Sequence, residues 1–149
     1  MMADPRFDPI ENPDTEAFWT GLRDGRLLIQ QCGACRTHRH PPNPTCSTCL
    51  SAEHEWIEAS GRGVVWSYSV VHEPLDGWPG ELPYTVAIVA LEEGVKMVTN
   101  LVAGSEAAVA VGAPVELAIT ESVSGVALPR FRLTSRRNDD QTNNQTNET

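Results

Sequence analysis

All four cysteines of this 149-residue chain fall within CGACRTHRHPPNPTCSTC, Cys32 to Cys49, as two Cys-x-x-Cys pairs with ten residues between them. A thiolate can serve as a nucleophile, a redox centre or a soft metal ligand, and spacing helps to decide which. A single Cys-x-x-Cys pair reads equally well as a redox dithiol. Two pairs this close have the spacing of facing knuckles around one tetrahedral ion, each knuckle turning backbone amides toward its sulfurs. Cys32, Cys35, Cys46 and Cys49 are the candidate ligands, and one Zn2+ per chain is the expected ion. Iron on the same four sulfurs, and redox use of the pairs, are the alternatives. His38 and His40 lie between the pairs and are expected to pack on a ribbon strand or face solvent, because four sulfurs already complete the coordination. A filled tetrahedron leaves no site for an activated water, so the expected role of the ion is structural.

The rest of the chain offers little further chemistry. It carries no nucleophile elbow, no P-loop and no recognisable pair of catalytic carboxylates, so no catalytic residue is assigned. His72-Glu73 is an adjacent acid and base without a third group to give it context. Ser60-Gly61-Arg62-Gly63 reads as a turn feeding a strand, and Glu92-Glu93 as a solvated hairpin end. The aromatic residues speak more of binding. Phe18 and Trp19 on a short terminal segment, and Trp78 in the loop HEPLDGWPGELP, are candidate partner contacts. Trp66 and Tyr68 are expected in the core. Arg130 and Arg132 flank Phe131 as a basic pair on the last strand.

These residues need elements to hold them. Asn12 is placed to cap a helix with Pro13 at its first position and Asp14 in its first turn, running through DTEAFWTGL to a stop at Asp24-Gly25. RLLIQQ leads as a strand into Cys32. Roughly residues 25 to 57 hold too little apolar surface to offset about 1–2 kcal/mol of ordering entropy per residue, a deficit that a structural zinc, at about 10–16 kcal/mol of apparent binding free energy, can cover. Beyond the cysteines, after the short alternating piece Glu55 to Glu58, five strand-like stretches follow: 64–71, 84–91, 95–102, 115–120 and 128–133. In 64–71 the alternation puts Val64, Trp66, Tyr68 and Val70 on one face. Residues 103–114 read as a turn or single helical turn. Five short strands with turn chemistry between them suit a small, closed or half-closed barrel, of which the OB-fold is the commonest. The reading is therefore mainly β: a flexible lead-in over 1–11, a helix and metal ribbon over 12–57, a five-stranded barrel over 58–133, and a polar disordered tail over 134–149. The Asn-x-Thr triplets at Asn144 and Asn147 are expected to be chance.

Charge narrows the partners. The formal net charge is −9, which disfavours nucleic acid and anionic membrane surfaces, since both are held by clustered Lys and Arg. An OB-type nucleic-acid module remains the alternative that such a barrel raises, but it needs basic residues interleaved with exposed aromatics. The N-terminus has no apolar run of signal-peptide type, and no stretch is long and apolar enough for a membrane helix. The expected compartment is cytoplasmic, where paired cysteines favour metal over disulfides.

The order of these blocks resembles a known family. FWTGLRDGRLLIQQCGAC, HPPNPTCSTC, EWIEASGRGVVWSYSVVH, LPYTVAIVALEEGV, VGAPVEL and LPRFRL together look like the acyl-CoA-associated zinc-ribbon/OB-fold family, domain of unknown function 35, over roughly residues 14 to 133. The resemblance implies an N-terminal helix, a rubredoxin-like zinc ribbon and a C-terminal OB-fold barrel. It also implies a non-catalytic partner of thiolase-like or lipid-transfer-type enzymes that make or break carbon–carbon bonds in acyl-CoA thioesters, with examples in steroid, aromatic and mevalonate metabolism. Under that resemblance Arg130 and Arg132 are candidates to meet the phosphates of a CoA ester, and a free-standing acyl-CoA-binding protein is the neighbouring alternative. One departure stands out: members often carry Gly directly after the second cysteine of each knuckle, where this chain has Arg36 and Leu50. A left-handed backbone there would cost about 1–2 kcal/mol for each residue.

Overall fold

The computed structural model describes residues 8–135. Residues 1–7 and 136–149, with Asn144 and Asn147 and most of the expected lead-in and tail, lie outside the described residues. No helix among the described residues is long and apolar enough to cross a membrane.

The chain enters through a turn rather than through the expected cap. Asn12 Oδ1 accepts hydrogen bonds from the N–H groups of Asp14 at 3.0 Å and Thr15 at 3.1 Å. Pro13 therefore sits in an Asx-type turn, and helix α1 begins only afterwards, over Glu16–Arg23. It stops as the sequence says it should. Gly25 takes φ 78°, and the N–H groups of Gly25 and Arg26 reach back to the carbonyls of Leu22 and Gly21 at 3.0 and 2.8 Å, which is a Schellman cap.

The ribbon follows as β1 (Leu28–Cys32), β2 (His38–Arg39) and β3 (His54–Glu58), in an antiparallel sheet of order β2-β1-β3. The barrel is built from β4 (Arg62–Val71), β5 (Tyr84–Leu91), β6 (Lys96–Asn100), β7 (Pro114–Glu121) and β8 (Ala127–Leu133), in the order β6-β5-β4-β7-β8. Its ends meet through a parallel bridge between Leu101 and Phe131. The Val102 N–H donates to the Phe131 carbonyl at 2.9 Å, and Thr99 Oγ1 donates to the Pro129 carbonyl at 2.6 Å. The result is a nearly closed five-stranded barrel. Gly61 and Gly63 serve the barrel's first strand. Gly61 turns the chain at φ 75°, and a Cβ on Gly63 would lie 2.4 Å from the Ala90 carbonyl oxygen.

One apolar cluster runs through both halves. Phe18, Leu22, Leu27, Ile29 and Ala59 join Val65, Val89, Met97, Val115 and Phe131 in it. The expected placing of Trp66 and Tyr68 in that core is wrong: they are 53% and 40% exposed. A β-bulge in β4 also splits the expected face: Val65 faces Val89 but Ser67, not Trp66, faces Ile88. An extra residue exchanges the faces of everything after it. Val65 points inward beside Val89, leaving Val64 and Trp66 outside. Beyond the bulge Tyr68 and Val70 come into register with the buried Ala87 and Thr85, at the end where β7 no longer covers them. The four residues expected on one face are split across two.

Candidate metal centre

β1 delivers Cys32 at its last residue, and β3 departs just after Cys49, so one antiparallel pair fixes both ends of the ribbon loop. Within it the two knuckles repeat each other. The N–H of Arg36 donates to the Cys32 carbonyl at 3.1 Å, and that of Leu50 to the Cys46 carbonyl at 2.9 Å. The N–H of Cys32 donates to Thr37 and that of Cys46 to Ser51, both at 2.9 Å. Arg36 and Leu50 each adopt φ 65°, the left-handed backbone that Gly would favour. The knuckles keep their shape with side chains in the glycine position.

The four sulfurs all lie within 4.8 Å of one another. Cys32 Sγ is 3.5 Å from Cys49 Sγ, and Cys35 Sγ is 3.6 Å from Cys46 Sγ. Thiolates placed about 2.3 Å from a tetrahedral zinc are about 3.8 Å apart, so the four sulfurs are close enough together to hold one such ion. Backbone N–H groups point at the sulfurs, from Cys35 to Cys32 at 3.5 Å and from Thr48 to Cys46 at 3.4 Å. These amides act unevenly. The N–H groups of Cys49 and Thr48 lower the Cys46 thiol to about 6, and the Cys35 N–H lowers Cys32. The Ser51 N–H pulls Cys49 down most strongly of any single group, but the Cys32, Cys35 and Cys46 sulfurs and desolvation together outweigh it, and Cys49 rises to about 11. Four negative sulfurs cannot share so small a volume without a cation among them, and a divalent ion removes that conflict.

The histidines between the pairs are not ligands but joints. With Nδ1 protonated, His38 donates to the Glu93 carbonyl at 2.9 Å and accepts at Nε2 from the Gln31 amide at 3.1 Å. Glu93 also accepts the Ser60 N–H with its carboxylate, so the hairpin end read as merely solvated fastens ribbon to barrel. Its neighbour Glu92 pairs with Arg62 at 3.1 Å. His40 packs its ring on Phe18, centroids 5.4 Å apart, and burial lowers it to about 4. Sequence spacing gives no hint of these ties, since His38 and Glu93 are 55 residues apart.

The candidate partner contacts separate. Phe18 is 5% exposed and belongs to the core, so it has no face to offer; the amphipathic turn that carries it packs inward. Trp19 is half-buried, edge-on to Phe18 at 5.0 Å. Trp78 is half-buried and stacks on Tyr84 at 4.5 Å, a platform within its own chain. The basic pair on β8 is also unequal. Arg132 is held by Glu116 at 2.6 Å, while Arg130 is half-buried.

Comparison with known proteins gives this arrangement its family. Residues 19–55 match the ChsH2 rubredoxin-like zinc ribbon domain, and residues 56–120 the ChsH2 C-terminal OB-fold domain. A probable enoyl-CoA hydratase alpha subunit of Thermomonospora curvata is 42% identical over 125 residues, covering 83% of this chain and 39% of that protein. This chain thus spans about two-fifths of that relative's length. A DUF35 domain-containing scaffold protein of Methanocaldococcus jannaschii is 34% identical over 100 residues, 66% of this chain and 71% of the relative. Among solved structures, the Ltp2-ChsH2(DUF35) aldolase contains a chain that is 42% identical and superposes with a TM-score of 0.76, covering 84% of this chain and 98% of that one. A ribbon of four converging sulfurs on a nearly closed OB-type barrel, with relatives matched along both parts, places this chain in the DUF35 family, with a ChsH2-type zinc ribbon and OB-fold domain.

Proposed function

We propose that this protein is a non-catalytic accessory subunit of an acyl-CoA enzyme, pairing with a thiolase-like or Ltp2-type partner that makes or breaks carbon–carbon bonds in acyl-CoA thioesters. The observation that carries this reading is the match to nearly the whole of a chain from the Ltp2-ChsH2(DUF35) aldolase, at 42% identity. The scaffold name of the archaeal relative supports the division of labour. In this reading Cys32, Cys35, Cys46 and Cys49 hold one Zn2+. The ion supplies rigidity and no Lewis-acid step, because four thiolates complete its coordination. Trp19 and Trp78, both half-buried, are the aromatic contacts retained from the sequence, and Arg130 is the candidate to meet a CoA phosphate.

The test is co-expression of the full chain with the Ltp2-type enzyme of the same organism. A stable complex is expected, with thioester chemistry that needs the enzyme's active site and not this chain's side chains. Turnover of acyl-CoA by this chain alone, or failure of the two proteins to co-elute, counts against the proposal. Metal analysis of the purified chain distinguishes one zinc from one iron per chain.

A further inference from the structure

A soluble protein has to protect the unpaired edges of its sheets, because a row of free N–H and C=O groups recruits other strands. Most edges here are protected in recognisable ways. In the ribbon, β2 is only two residues long, and β3 carries Glu55 and Glu58. In the barrel, β6 and β8 meet one another. The far half of β7, Leu117 to Thr120, is half-buried.

β4 is the exception. Its pairing with β7 covers Arg62 to Val64 only, extended one step where Val65 exchanges backbone hydrogen bonds with Gly112 and Ala113. From Trp66 to Val71 the strand continues in register with β5. Among the described residues, no backbone hydrogen bond joins its other side. Residues 66–69 are exposed. The stretch WSYSVV holds no Lys, Pro, Asp or Glu. The bulge, a device that twists an edge out of reach, lies at its start, and regular pairing follows from Ser67 to Val71. That bulge also places Trp66 and Tyr68 on opposite faces, so a strand laid along this edge would have an exposed aromatic above and another below.

We infer that the free edge of β4, residues 66–71, receives an extended strand of the partner enzyme, completing the sheet by β-addition. This rests on the accessory-subunit reading. The charge around the edge specifies the strand. From Gly63 to Val95 the chain has no Lys or Arg, the Lys96 ammonium is taken up over the Trp66 ring at 4.7 Å from its centroid, and the loop that continues β4 carries Glu73, Asp76 and Glu81. The incoming strand is therefore flanked by Lys or Arg. A second copy of this chain is a poor occupant, since it presents the same carboxylates and brings a further charge of −9.

The test uses the full chain with the co-expressed Ltp2-type enzyme of the same organism, followed by amide hydrogen exchange, free and in complex. Exchange at residues 67–71 is expected to slow at least about tenfold on complex formation, as it does where an amide gains a strand partner, while β8 changes little. The double variant Ser67→Lys with Ser69→Lys adds charge of the same sign as the incoming strand. It should weaken association about tenfold or more with zinc content unchanged. If that variant fails to fold, exchange in the native complex decides alone. A complex that forms without added protection at 67–71 overturns this inference and leaves the accessory role standing. Absence of any complex overturns both. Protection that appears in the chain alone and rises with its concentration assigns the edge to self-pairing and overturns the inference as well.

Discussion

The ribbon and the barrel solve the same problem by opposite means. The barrel encloses its own apolar interior: Phe131, Val89, Val65 and Val115 are buried between strands that nearly close. The ribbon turns Ile29 and Leu27 toward that shared cluster, but its far end, around the cysteines, has no apolar interior at all. There the sulfurs stand where a core would be. A small sheet with few buried side chains gains order from a metal, because binding free energy to preformed ligands becomes folding free energy. A barrel gains it from area removed from water. Each half should therefore fail by its own route.

The largest effect is expected at the metal. Cys46→Ser, or chelation of the native protein, removes a contribution on the order of 10 kcal/mol or more from the ribbon. Amides of residues 28–58 should lose their exchange protection, and metal content should fall below one ion per chain, while β5 and β7 remain protected. Collapse of the whole chain in one transition would show that the two halves are a single cooperative unit.

The barrel's counterpart is Phe131→Ala. Phe131 is fully buried and lies at the bridge that closes the sheet. Removing its ring should cost about 3–5 kcal/mol, read as a lower midpoint in denaturant. Metal content should stay at one ion per chain. A ribbon that loses its ion in this variant would mean that the metal site depends on barrel closure.

What could be read from the sequence follows the same division. The metal set was legible because its chemistry is local: knuckle spacing places Cys32, Cys35, Cys46 and Cys49 without knowledge of the rest of the fold. The strand count and the Gly25 stop were legible for the same reason. The inward face of β4 was not, because one bulged residue exchanges the faces beyond it, and WSYSVV reads identically with or without a bulge. Nor were the joints, in which His38 meets Glu93 across the chain. The misplacing of Phe18 has a simpler cause. A short terminal helix with two adjacent aromatics looks the same whether it packs on its own barrel or on a partner, and the shared cluster decides that Phe18 packs inward.

His40 tests the junction between the two halves. Burial lowers it to about 4 from an ordinary 6.5, so the folded state favours the neutral ring. The stability this contributes is present above the unfolded value of 6.5 and is lost as pH falls toward 4. Between pH 7.5 and pH 5 the loss should be about 2 kcal/mol. His40→Leu keeps an apolar ring contact for Phe18 and should flatten that part of the stability profile. An unchanged profile would place the acid sensitivity in the sulfur site instead.

The smallest effect lies at the glycine positions of the knuckles. Leu50 holds φ 65° with its side chain 79% exposed, so Leu50→Gly relieves backbone strain and gives up almost no packing. The relief is about 1–2 kcal/mol, reduced by about 0.5–1 kcal/mol for the extra freedom of glycine in the unfolded chain. The net should be a few-fold tighter hold on zinc in competition with a chelator. Arg36 has the same φ but also faces Glu55 at 4.0 Å, and Arg36→Gly loses that contact, so it should gain less. Equal gains at both positions would show that the Arg36–Glu55 pair contributes nothing. A loss at position 50 would mean that the left-handed turn is already strain-free with leucine in it.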